Sequence, residues 1–155
     1  MDIIILDCGD AIKGESTTTN YKDKIECLSY SHGVAQQITG DQSNTKRTSG
    51  KPNHQDFTIT KYMDLASRSL IDYCNQAKVI PTVKIIVGQN DAGSVVPFFE
   101  YQLTNALVSS VSVGGEGGGT PQETVTFNYT AISWAYMRQG AEVTAKWDLA
   151  ANSAS

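Results

Sequence analysis

Two histidines, three cysteines, a glycine run and a few acids are the residues whose types could do chemistry in this chain. A hydrolytic site would need His32 or His54 beside a carboxylate and a nucleophile. His32 falls on the apolar parity of a strand-like stretch and reads as a packed core histidine. His54 lies at the end of a polar loop. The chain holds no Gly-x-Ser-x-Gly elbow and no His-Glu-x-x-His pair. Cys8, Cys27 and Cys74 are odd in number, widely spaced and without a Cys-x-x-Cys, which excludes a zinc ribbon or thioredoxin-type site. All three read as buried small apolar residues in a reducing compartment. Gly114-Gly115-Glu116-Gly117-Gly118-Gly119 could cradle a phosphate, but no Lys-Ser/Thr follows and the next pattern is a strand, not a helix. It reads as a flexible strand connection. Asp10 and Glu15 are neighbouring acids with nothing nearby to make them a metal or acid–base pair. Trp134 and Trp147 could form a sugar platform, yet on strands this apolar they read as core or interface residues. Asn128-Tyr129-Thr130 fits a glycosylation acceptor but lies mid-strand. The expectation is a protein with no catalytic residue, no metal and no cofactor.

The elements that would position these residues are mostly strands. Ile3–Asp7 reads as a short buried strand. From Lys24 to about Gln37, Leu28, Tyr30, His32 and Val34 share one parity and Ser29, Ser31 and Gly33 the other, so one face is apolar and one small and polar. The segment from Thr39 to Asn53 has no apolar periodicity and reads as a long exposed loop. Gln55–Tyr62 returns to strand pattern, with Phe57 and Ile59 on one face. Ser67 can cap a helix over about 67–77 in which Leu70, Ile71, Cys74 and Ala77 fall at helical spacing, with Pro81 as its stop. Val83–Val87, Phe99–Leu103 and Leu107–Val113 alternate as strands, with a turn over Gly88–Gly93. Thr124–Arg138 is the longest strand signal. Its apolar parity breaks between Val125, Phe127, Tyr129 and Ile132, Trp134, Tyr136, and a bulge near Thr130 or Ala131 would reconcile the two sets. A last strand covers Val143–Leu149. About eight strands and one helix, without strand–helix alternation, give a mainly β class: a compact antiparallel barrel or sandwich with one flanking helix.

Bulk properties narrow the class. The 155 residues suit one domain spanning 1–155. Charged residues make up 18%, below the roughly 25% that is usual. Neutral polar side chains fill the surface instead, and weak self-repulsion permits close packing of copies. The formal charge of −4 argues against nucleic acid, which needs clustered Lys and Arg. Lys46, Arg47 and Lys51 form the one basic cluster and read as solvating their loop. The apolar run Ile3–Leu6 is too short for a signal-peptide core, and no stretch approaches the ~20 apolar residues of a membrane span. Export, if it occurs, would need another machine.

Six blocks in order resemble the haemolysin co-regulated protein (Hcp) family, the tube proteins of type VI secretion systems. They are Gly14-Glu15-Ser16; Ile25 to Gln36 with Leu28-Ser29-Tyr30-Ser31; Phe57 to Asp64; Leu107-Val108-Ser109-Ser110-Val111-Ser112 with its glycine loop; Glu123 to Tyr136; and Lys146 to Leu149. Tyr30 stands where members commonly carry Trp, and Cys27 where an aliphatic residue is commoner. The 39–53 loop does not match well.

The resemblance implies a β-barrel flanked by a helix. Six copies would close into a ring, and rings would stack into a tube that a contractile sheath drives, with its spike, into a neighbouring cell. The partners implied are the chain itself as a stacked homohexamer, sheath and spike proteins, and secreted effector proteins held in the lumen, with neither nucleic acid nor membrane. The protein would be cytoplasmic before firing and then secreted. On this reading Ser29, Ser31 and Gly33 line the lumen, while Gly40, Asn44, Lys46, Arg47 and Lys51 make ring-to-ring contact. Three alternatives stand beside it: a phage-type tail-tube protein with the same assembly logic, a small carbohydrate-binding module using Trp134 and Trp147, and a hydrolase with an unrecognised site at His32 or His54.

Overall fold

The computed structural model describes residues 2–36, 38–39, 48–49, 52–138 and 141–154. The ring-contact expectations at Gly40, Asn44, Lys46, Arg47 and Lys51 lie outside the described residues. The described residues form thirteen strands and one helix. The early strands are β1 (Asp2–Asp7), β2 (Ile25–Cys27), β3 (Ser29–Ser31), β4 (Val34–Ala35), β5 (Ile38–Thr39), β6 (Thr48–Ser49), β7 (Asn53–His54) and β8 (Phe57–Tyr62). After α1 (Ser67–Gln76) come β9 (Ile80–Asp91), β10 (Ser94–Gly114), β11 (Gln122–Asn128), β12 (Ala131–Arg138) and β13 (Ala141–Asp148). The mainly β class with one helix stands. The extra strands are pieces of two or three residues cut from the single 24–37 strand and the loop expected after it.

β10 organises the molecule. Its first half pairs with β9 on one side and β12 on the other, and its second half pairs with β11. Two sheets therefore share it: β2-β1-β9-β10-β12-β13 and β10-β11-β8-β3. The ladder is not closed. However, the single segment 25–31 forms β2 on one rim and β3 on the other, and Leu28 already donates its amide to Thr60 O (2.7 Å). Chain continuity thus joins the two rims into a barrel-like body around Leu6, Ile25, Phe57, Ile59, Leu103, Val125 and Phe127, all fully buried.

The parity break has a specific cause. Thr104 pairs with Ala131 and Leu107 with Asn128, so register is unchanged across the interruption at Tyr129–Thr130. No single-strand bulge sits there. Both strands kink together: Asn105 takes a left-handed φ of 50°, and the buried set in β10 moves from Tyr101 and Leu103 to Ala106 and Val108. The offset of register lies elsewhere, between Val108 and Ser110, and it returns Val111 to the core side. The expected turn at 88–93 also contracts. β9 runs to Asp91, and only Ala92 and Gly93, both at positive φ, make the hairpin.

Helix α1 starts one residue earlier than a Ser67 cap requires. Ala66 is the N-cap and offers no side chain; Ser67 is the first helical residue. The helix stops at a left-handed Ala77, well before Pro81, which lies inside β9. Ser67 and Leu70 face the core, whereas Ile71 is exposed.

Ser67 is occupied by a buried ion pair. Lys61 and Glu123 face each other across β8 and β11, both fully buried. Lys61 Nζ donates to Glu123 Oε1 (3.0 Å), Asp64 Oδ1 (2.8 Å), Tyr62 O (3.2 Å) and Ser67 Oγ (3.3 Å). Ser67 Oγ donates to Glu123 and accepts the amide of Asp64 (2.9 Å). One ammonium thus ties two strands to the start of the helix. Removing Lys61 leaves the Glu123 carboxylate buried and unpaired, which costs about 3–5 kcal/mol, whereas removing Glu123 leaves Lys61 its Asp64 partner. We predict that Lys61→Ala lowers the unfolding free energy from urea titration by that amount, and Glu123→Ala by less. The double replacement Lys61→Met/Glu123→Leu should recover most of it, and a double variant no more stable than the single ones would contradict this.

Candidate assembly surfaces

β12 and β13 form the rim of the first sheet, a wing whose Tyr136–Val143 end is exposed while Ile132, Trp134 and Trp147 pack on the core. β13 pairs with β12 along its whole length, and apart from one bridge between Asp148 and Ser153 its outer edge is unpaired among the described residues. Free backbone groups along such an edge are a template for another chain. Directly opposed residues share a face. Val143 opposes Tyr136, and Tyr136 opposes Phe99 with ring centroids 6.4 Å apart. Val143 is 68% exposed and Tyr136 39%, so an apolar row crosses the wing in the open. Tyr136 and Val143 carry ordinary strand signal in the sequence, which does not tell an exposed row from a buried one.

The Ser29–Ser31 face is as the parity predicts for these three residues. Ser29 and Ser31 are exposed, and Tyr30 turns inward to stack on Phe57 (5.9 Å, 10°) and meet Tyr101 (5.6 Å). The alternation does not extend along the whole 24–37 stretch. Leu28 and Val34, expected on the apolar face, are 44% and 53% exposed. Leu28 sits where the segment changes sheets, and Val34 belongs to β4, which pairs only with β7. Gly33 is half-buried against Gln55, so it does not share the open setting of the two serines.

Gly14-Glu15-Ser16 has a structural reason. A Cβ on Gly14 would stand 2.5 Å from the carbonyl oxygen of Lys24, so only glycine fits. Ser16 Oγ donates to Glu26 (3.2 Å), and its backbone bonds Lys24 and Asp23. The motif clamps the 14–16 strip onto the chain entering β2. Asp10 and Glu15 are both exposed, and no cluster of three metal-ligating side chains occurs among the described residues. The glycine run links β10 to β11 as a strand connection, with only Gly118 at positive φ.

The remaining chemistry-bearing residues pack inward. Trp134 and Trp147 pack against the core, so they present no paired sugar platform. His32 and His54, far apart in the sequence reading, stack with centroids 5.9 Å apart. Burial lowers the pKa of both, and the neighbouring His54 adds to the effect on His32 against a hydrogen bond with the Gln55 backbone. Cys8 is buried, while Cys27 and Cys74 are half-buried rather than fully so.

A barrel-like antiparallel sheet that is not closed, with one flanking helix and an unpaired β13 edge among the described residues, defines the fold class. The model of the family described as "Type VI secretion system effector, Hcp" matches residues 5–136. The chain is 31% identical over 132 residues to Protein hcp1 of Pseudomonas aeruginosa, covering 84% of this chain and 81% of that protein. It superposes on Hcp1 from Salmonella typhimurium with a TM-score of 0.84, 28% identity and 99% of each chain covered. A structure of a type six secretion system protein gives a TM-score of 0.90 at 27% identity over all of both chains. The chain belongs to the Hcp family of type VI secretion proteins, which decides against the phage-type alternative. No described helix is long and apolar enough to cross a membrane.

The thiols give a pH test. Burial pushes the Cys8 thiol well up, and burial first, then the charges of Asp64 and Glu26, pushes Cys27 up to about 12 against Lys61. Both stay protonated and unreactive near neutrality. Because their folded pKa values exceed the unfolded ones, the stability they contribute is present below about pH 9 and is lost as pH rises towards 12 for Cys27. We predict that a thiol reagent at about pH 8 labels Cys8 and Cys27 only on unfolding. Labelling at the rate of a free thiol in the native protein would contradict it.

Proposed function

We propose that this chain is the subunit of a homohexameric ring whose stacked copies form the expelled inner tube of a type VI secretion system. Family membership supplies the setting. The observation that carries the proposal is the wing: a β13 edge unpaired among the described residues, beside the exposed Tyr136 and Val143 and the half-buried Phe99. A closed ring needs one surface that repeats head to tail. A flat strand edge with apolar side chains, on a chain with little surface charge, suits that role.

In this reading the chain does no catalysis and needs no cofactor. Ser29 and Ser31 face the lumen, where small hydroxyls tolerate varied effector proteins. The 39–53 segment makes ring-to-ring contact. Sheath and spike proteins act on the stacked tube, and the subunit is cytoplasmic until the tube is fired.

The variants separate these roles. Val143→Glu places a carboxylate in the apolar row and should weaken ring formation at least about tenfold, with the monomer fold intact by circular dichroism. Ser31→Trp should leave rings intact and abolish effector capture. Removing residues 42–46 should leave single rings and shorten the tubes. Full ring assembly by the Val143→Glu protein would sink the wing as the interface. Normal capture by Ser31→Trp rings would sink the lumen placement, and unimpaired tube growth by the shortened chain would sink the stacking role.

A further inference from the structure

His32 and His54 hold the base of a β-hairpin. His54 pairs with Val34 in the β4–β7 ladder, and the Gln55 amide donates to Gly33 O (2.8 Å). The ladder holds only two residue pairs, Val34 with His54 and Ala35 with Asn53. What fastens it to the body is a stack of rings. His32 lies on His54 (5.9 Å, 21°) and on Phe57 of β8 (5.5 Å, 17°), and its edge meets Tyr101 of β10 (6.3 Å). His54 reaches Trp134 of β12 (6.2 Å), and both imidazoles meet the ring of Tyr129.

The hydrogen bonds fix which protons are present. Tyr129 donates its hydroxyl proton to Gln55 O (2.9 Å). Its oxygen then accepts from His32 Nδ1, 3.2 Å away, so neutral His32 carries its proton on Nδ1. His32 Nε2 is buried and has no partner among the described residues; nor has His54 Nδ1. A bare nitrogen lone pair tolerates that setting. A proton added there does not: it creates a buried N–H with no acceptor, and it sets two cations face to face.

We propose that the His32–His54 stack is an acid-operated latch: it docks the hairpin base while both rings are neutral and releases it when acid protonates them.

Of the groups facing the latch, the Gln55 backbone favours the charged form of His32, and burial and His54 outweigh it. Tyr101 and Tyr129 are neutral phenols. Tyr101 is pushed up to about 12, by burial first and then by Tyr30. Tyr129 is held above the ordinary range, by burial first and then by Asp56. Asp56 is the adjoining carboxylate, and its oxygens are engaged by Ser109 (2.8 Å) and Asn128 (3.0 Å). Burial depresses both imidazoles, so docking is at full strength above about pH 6.5 and is lost as pH falls through the depressed folded values. Each unit of depression weakens docking about tenfold in acid. Release frees His54 to turn into water, with loss of the Tyr129–His32 bond and of the two-pair ladder.

The latch does not depend on ring assembly and can be tested on dilute full-length chain. Imidazole titrations by NMR should give midpoints below about 6.5 for both histidines. Hydrogen exchange should show the protection factor of the Gln55 amide falling at least about tenfold between about pH 7.5 and about pH 5. His32→Phe/His54→Phe keeps the stacked rings and removes the titration, so its Gln55 protection should not change with pH. Midpoints at or above about 6.5 overturn the proposal, as does unchanged wild-type protection in acid or an acid response retained by the double variant. Should that variant fail to fold, the wild-type titration and exchange decide the matter alone.

Discussion

The fold depends on one ammonium group. Lys61 sits at full burial with Glu123 opposite it, and its remaining bonds go to Asp64, Ser67 and a backbone carbonyl. An ion taken out of water is costly unless its partners are complete. That cost turns the pair into a selector. Only the register that sets Lys61 against Glu123 avoids a buried bare charge, and a slip of one residue would turn both strands inside out. The same group sets where α1 begins, because Ser67 must point at Glu123 rather than cap its own helix.

From this fixed point the rest is geometry. β11 is locked to β8 on one side and to β10 on the other, so the second half of β10 belongs to the body. The kink at Asn105 and Thr130 then redirects the first half of β10 and all of β12 without changing their pairing. Asn105 takes its left-handed φ where the buried parity of β10 changes, and Tyr136 and Val143 stand exposed further along the same sheet.

Much of this was legible in the residues. Period-two patterns located β1, β8, β9 and the two halves of β10, and the ordered family blocks named the fold. The inward Tyr30 and outward Ser29 and Ser31 followed from parity alone. What escaped did so for physical reasons. Lys61 and Glu123 lie on the apolar parities of Phe57–Ile59 and Val125–Phe127, a signal that charged residues are buried in pairs, but parity alone does not say which strands are neighbours. Leu28 and Val34 broke the alternation because pairing changes sheet at one and leaves the main body at the other. The continuity of β10 was hidden by three irregularities, at Pro97–Phe99, Asn105 and Val108–Ser110, each of which resets the pattern. The stacking of His32 on His54 needs the ends of a long excursion brought together, a non-local fact that no local spacing encodes.

The central claim is that an open, kinked wing makes this chain a self-assembling ring subunit of the type VI secretion family. Size-exclusion chromatography with light scattering, followed by negative-stain imaging of the wild-type protein, tests it most directly. The account predicts a discrete particle of six chains with six-fold rings around an open lumen. A monodisperse monomer at every concentration and salt condition tried would contradict it.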